Sequence, residues 1–106
     1  MTPDFDLDVD ATGERFVWDI EKDTKNREKH GISFVEALVI FQDPKGIEFE
    51  NLKHSSLEEK RFLRVGKMEN GEIIVVSFTW KEGVRRIITA HRSRSWRKMY
   101  EKENSE

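Results

Sequence analysis

Three histidines and a run of arginines are the residues of this chain best suited to chemistry near neutral pH. His30, His54 and His91 can each exchange a proton there, because imidazole titrates close to neutrality. His30 follows Lys29, His54 precedes Ser55 and Ser56, and His91 adjoins Arg92. Arg85, Arg86, Arg92, Arg94, Arg97 and Lys98 crowd towards the C-terminus, interleaved with Trp96 and Tyr100. Guanidinium groups bind phosphate through paired hydrogen bonds, and aromatic rings stack on unpaired bases, so this mixture fits a nucleic-acid partner. On an ideal strand Arg86, Ile88, Ala90 and Arg92 share one face, while Arg85, Ile87, Thr89 and His91 share the other. The plainer alternatives are solvated histidines and a helix whose Trp96 and Tyr100 form an ordinary core stripe. They lose ground if histidines and arginines converge in space.

Other chemistries find little support. With no cysteine, the chain has no disulfide framework, no thiolate zinc site and no cysteine nucleophile. It lacks an H-E-x-x-H pair, a calcium-type loop, a G-x-S-x-G elbow and a glycine-rich phosphate loop. His54 beside Ser55 is a poor triad fragment, since adjacent residues seldom meet the required geometry. Asp4, Asp6, Asp8 and Asp10 read as a solvated charge run. Neither metal nor cofactor is expected. No apolar run approaches the roughly 20 residues of a membrane span, and the N-terminus lacks a signal-peptide pattern. A cytoplasmic protein without membrane association is expected.

A length of 106 residues points to one domain, and 10% aromatic residues point to a real core despite 38% charged residues. The net charge of -2 is an average over a polarised chain. Residues 1–24 carry eight acids and two bases, residues 25–80 nine of each, and residues 81–102 eight bases and two acids. A basic face attracts polyanions whatever the charge of the whole protein.

These residues need elements to position them. Residues 1–14 read as a flexible acidic arm, 15–102 as the folded domain and 103–106 as a disordered tail. Phe16–Trp18 reads as a first strand. Asp19 caps a polar helix over about residues 20–29, ended by a left-handed Gly31. Ser33 and Glu36 form a capping box for a second helix, whose Phe34, Ala37, Leu38 and Phe41 share one face until Asp43-Pro44 stops it. Strands follow at Gly46–Glu50, Arg61–Lys67, Ile73–Phe78 and Val84–Arg92. Ile73–Phe78 reads as a central strand buried on both faces. Asn70-Gly71 is a hairpin turn in which both residues can take positive φ, and Glu82-Gly83 offers another. Residues 94–102 read as a basic helix. The order β-α-α-β-β-β-β-α predicts an α+β fold, a small antiparallel sheet with helices packed mainly on one face.

Certain strings are more specific. F-V-W-D at 16–19, K-H-G-I-S-F at 29–34, E-A-L-V-I-F-Q-D-P at 36–44, H-S at 54–55, R-F-L-R-V-G at 61–66, R-I-I-T-A at 86–90 and Y-E at 100–101 occur in one order. As a set, they resemble the BrnT family. The resemblance implies a RelE-like α+β fold and a toxin of a type II toxin–antitoxin pair that cleaves RNA and blocks translation. It also implies a BrnA-like antitoxin partner, with operator DNA contacted only through the complex. It places Trp18-Asp19, Lys29-His30, His54-Ser55, Arg61 and Arg86 at matching positions. Three departures stand out. The usual arginine-rich approach to the last strand reads Trp80-Lys81, and His91 stands where an arginine usually follows. Glu58-Glu59-Lys60-Arg61 is one residue longer than in many members.

RNA cleavage without metal needs a base for the 2′-OH, an acid for the leaving 5′-oxygen, and cations for the phosphorane. The expected catalytic set is His30, His54, Arg61, Arg86 and His91, the histidines competing for acid and base roles. Lys29, Arg85, Arg92, Arg94 and Arg97 are the expected phosphate contacts. The alternative is a non-catalytic protein- or nucleic-acid-binding module, a degenerate toxin.

Overall fold

The computed structural model describes residues 7–9 and 14–105. The strands are β1 (Leu7–Val9), β2 (Arg15–Val17), β3 (Ile47–Glu50), β4 (Arg61–Lys67), β5 (Ile73–Lys81) and β6 (Val84–Arg92). The helices are α1 (Ile20–His30), α2 (Phe34–Ala37) and α3 (Arg97–Glu103), with 3₁₀ segments at Leu38–Gln42 and Leu52–His54. The sheet runs β1-β2-β6-β5-β4-β3. It is antiparallel, as expected, except that the short β2 lies parallel to β6. Strand β1 falls within the stretch read as an arm, whose residues 1–6 and 10–13 lie outside the described residues, as does Glu106 of the expected tail.

Local chemistry sets the helix ends. The Asp19 carboxylate accepts from the Glu21 N–H, and Gly31 at φ 71° closes α1. Ser33 and Glu36 form the full reciprocal capping box at α2. The second helix tightens after Ala37, where one continuous α-helix was expected. The 3₁₀ segment brings Ile40 directly onto β4: a Cβ at Gly66 would lie 2.6 Å from the Ile40 Cβ, so only glycine fits beneath it. At the hairpins, only Gly71 takes positive φ in the first turn, whereas Glu82 (54°) and Gly83 (78°) both do so in the second. The two-residue turn matched to strand twist is therefore Glu82-Gly83.

Two apolar layers cover the sheet. α1, α2 and the 3₁₀ segment bury Trp18, Phe34, Ile40 and Phe41 against Ile74, Val76, Phe78 and Ile87. α3 lies on the opposite face, where Tyr100 joins Val65, Ile73 and Val75, flanked by Phe49, Trp96 and Met99. Ile73 to Val76 are buried throughout, as expected of a central strand. α3 begins at Arg97 rather than residue 94, because Ser93 Oγ accepts from the Trp96 N–H and forms a separate turn ahead of the helix.

Two polar contacts lock the layers. The buried Asn26 amide donates to the carbonyls of Ile32 (2.9 Å) and Ala90 (2.7 Å) and accepts from the Ala90 N–H (3.0 Å). It satisfies the β6 edge beyond the reach of short β2. On the other face the Tyr100 hydroxyl donates to Asp43 Oδ2 (2.7 Å), which also accepts from the Lys67 N–H. Burial, and then the Asp43 carboxylate, push the Tyr100 hydroxyl up to about 12.

Asn26→Ala strands the Ala90 N–H and C=O, and should lower stability by about 1–3 kcal/mol in urea unfolding. Tyr100 is the single tyrosine, so tyrosinate absorbance reports it alone. Its folded value lies above the ordinary 10.0, so its contribution is intact below pH 10 and is lost as pH rises through about 12. Alkaline titration of the folded protein should place its midpoint near 12.

Candidate active site

The loop between β3 and β4 positions His54. The Asn51 N–H donates to the Arg61 carbonyl (2.7 Å), and the Arg61 N–H donates to Ser55 Oγ (2.9 Å). Ser55 Oγ in turn lies 2.9 Å from the Asn51 carbonyl, to which it donates. The serine of the H-S pair is thus a stitch that pins a 3₁₀ turn to the head of β4, and His54 rides on that turn.

Beside it is a cleft of about 350 Å³ on the α3 side of the sheet. His54, Arg61, Ser77, Thr89, His91 and Trp96 line it. Trp96 packs against Phe49 at 5.3 Å, which fixes one wall. Arg61 Nε donates to Glu59 (2.8 Å) in a partly exposed ion pair. Such a pair is worth only about 0–1 kcal/mol, so a phosphate can replace the carboxylate at little cost.

His30 approaches His91 from α1 but lines a neighbouring groove rather than the cleft itself. Its ring centroid lies 5.4 Å from that of His91, the planes inclined by 36°. Arg92 Nη1 donates to the His30 carbonyl (3.1 Å), holding the end of α1 beside β6. Lys22, Lys25, Lys29 and His30 line an adjoining groove of about 190 Å³ that shares Ile88 and Thr89 with the cleft. Sequence reasoning singled out Lys29 but missed Lys22, Lys25 and Asn26. The three- and four-residue spacing of the lysines was the available signal, since it puts them on one helical face.

A bulge in β6 decides which arginines join this face. Thr89 pairs with Ser77 but Ile87 pairs with Phe78, so Ile88 is an extra residue. Side-chain alternation changes phase there. His91 and Thr89 consequently share their face with Arg86 rather than Arg85, correcting the ideal-strand grouping. Cross-strand register sets Arg61, Thr79 and Arg86 in one row.

Arg85 is buried on the opposite face, not placed for RNA phosphate as expected. It pairs with Glu14 (2.7 Å) and Glu48 (3.1 Å) inside a cage of Trp80, Phe41, Phe78 and Phe16. Arg92 bonds Glu72 (2.6 Å) as well as His30, and so braces the fold rather than lining the cleft. Arg97 donates to the Gly71 carbonyl (2.8 Å), tying α3 to the first hairpin. Arg94 is exposed ahead of α3, and Arg86 lines a separate cleft with Glu58, Glu59 and Lys60.

A family model for "Ribonuclease toxin, BrnT, of type II toxin-antitoxin system" matches residues 18–103. The chain belongs to the BrnT family. No curated protein matches it. The BrnT match spans the His54 loop, β4, β5, β6 and Trp96, and hence every residue named as lining the cleft. As a BrnT ribonuclease toxin of a type II system, the chain has RNA as its substrate and a protein antitoxin as its partner. Among the described residues no helix is long and apolar enough to cross a membrane.

Burial, reinforced by the nearby His30, pushes the His91 imidazole below its ordinary 6.5. A depressed histidine is neutral at neutral pH and can accept a proton. The folded state resists protonating it, so its penalty on stability is absent above 6.5 and grows as pH falls through the folded value. Nuclear magnetic resonance titration should place His91 below 6.5. His30→Ala should move it only part of the way back, because burial is the larger cause.

Proposed function

We propose that this BrnT chain is a metal-independent endoribonuclease that cuts RNA in the cleft formed by His54, Arg61 and His91, with His30 behind. The meeting of His54 and His91 on one cleft beside Arg61, with His30 packed against His91, carries this reading. Neutral His91 accepts the proton of the ribose 2′-OH. The freed oxygen attacks phosphorus, and the bond from phosphorus to the 5′-oxygen breaks. His54, lining the same cleft, returns a proton to that leaving oxygen. Arg61 releases Glu59 and stabilises the extra charge on the phosphorane. His30 supports His91 through the ring contact, and the lysines of α1 hold the RNA backbone alongside. The products are a 2′,3′-cyclic phosphate and a 5′-OH, with no atom supplied from outside the RNA. Among the described residues no three of His, Cys, Asp and Glu cluster to hold an ion.

In this reading the cleavage inhibits translation in the cytoplasm, a BrnA-like antitoxin neutralises the toxin, and operator DNA is met only through that complex. Arg86 supplies further positive charge along the Arg61 row.

Purified protein should cleave single-stranded RNA in the presence of EDTA and leave cyclic phosphate ends. His91→Ala and His54→Ala should each slow turnover by about 10²–10⁴-fold, and Arg61→Ala by about 10²-fold or more, without loss of folding. Full sensitivity to EDTA, or full activity in all three variants, contradicts the proposal. Tight antitoxin binding with no cleavage by the wild type favours the binding-module alternative.

A further inference from the structure

A cleft of about 690 Å³, wider than the histidine cleft, is distinct from it. It lies next door, lined by Lys60, Phe62, Trp80, Lys81 and Arg86 together with Glu58 and Glu59. The two clefts meet at one ion pair, because Arg61 lines the first and its partner Glu59 lines the second. Trp80 is the unusual member. A tryptophan here is 43% exposed, yet its ring is held firmly from within. The Arg85 guanidinium lies over the indole at 4.4 Å, and Phe78 meets it edge-on at 5.9 Å. Arg85 is itself fixed by Glu14 and Glu48. The buried guanidinium therefore backs the indole and sets its orientation, while the remaining surface stays open to the cleft.

We infer that Trp80 is a stacking platform for an unpaired base of the RNA substrate, beyond the Arg61–Glu59 pair and on the face of the sheet away from His91. A rigid aromatic surface loses little conformational freedom when a base settles on it, and every base has a π-face to offer. Lys60 and Lys81 stand at the same cleft to receive the flanking phosphates. Glu58 and Glu59 disfavour a phosphate deep in the cleft, which suits a base there and a backbone at the rim. The guanidinium behind the indole also makes Arg85 a positioning residue for RNA, in place of the direct phosphate contact expected of it. This inference rests on RNA passing through the histidine cleft.

The test uses a single-stranded RNA oligonucleotide with 2′-O-methyl groups, which binds but cannot be cut, and full-length protein carrying Trp80→Leu or Trp80→Phe. Leucine keeps apolar bulk without a π-face, and phenylalanine keeps a ring. Trp80→Leu should weaken single-strand binding by about 5- to 150-fold, the span of one stacked base. Trp80→Phe should stay within about threefold of wild type, and blunt duplex RNA should bind both variants as it binds wild type. Cleavage at saturating RNA should persist in Trp80→Leu with a raised KM. Unchanged single-strand affinity in Trp80→Leu, or an equal loss on duplex RNA, overturns the platform while leaving the histidine cleft in place. Failure of the wild type to bind single-stranded RNA overturns both.

Discussion

The amide of Asn26 is the contact on which the candidate site depends. Its two N–H donors and one oxygen are all engaged, two of them by the backbone of Ala90. A short N-terminal strand covers only the first residues of β6, so the strand edge near His91 needs another partner. Asn26 supplies it and draws α1 onto the sheet. The His30–His91 contact follows directly, since His30 lies one helical turn beyond Asn26 and His91 lies next to Ala90. Arg92 adds a second tie at the His30 carbonyl. The pair is therefore held by polar contacts with no role in proton transfer.

The second constraint is the extra residue at Ile88. Without it Arg85 would share the face of His91. With it, Arg86 takes that face and Arg85 turns into the aromatic cage. The basic C-terminal stretch is thus divided by function. Arg85, Arg92 and Arg97 are committed to internal bonds, while Arg61, Arg86 and the α1 lysines border the open clefts. The sequence-wide charge polarity is real, but strand position alone does not say which charges meet an RNA.

Much of the local structure was legible because its causes are local. Asp19, Gly31 and the Ser33–Glu36 pair act within a few residues of themselves, and the caps stand where those residues predict. The apolar run at Ile73 marks the central strand for the same reason. What escaped was long-range. Asn26 sits in a polar helix and gains its meaning from Ala90, 64 residues away. The bulge depends on how β5 and β6 register, and the 3₁₀ tightening depends on the close approach of Ile40 to Gly66. The three histidines could be named from the sequence, and the ordered BrnT strings singled out His30 and His54, with His91 a departure from them. Only the fold brings His54 and His91 to one cleft and sets His30 against His91.

The central claim is that His91, kept neutral by burial, removes the 2′-OH proton. The most direct test is the pH dependence of single-turnover RNA cleavage in the presence of a chelator, compared between wild type and His91→Ala. The account predicts an acid limb in the wild type whose midpoint lies below 6.5, and its disappearance from the residual activity of the variant. An acid limb of the same midpoint in both proteins would contradict it.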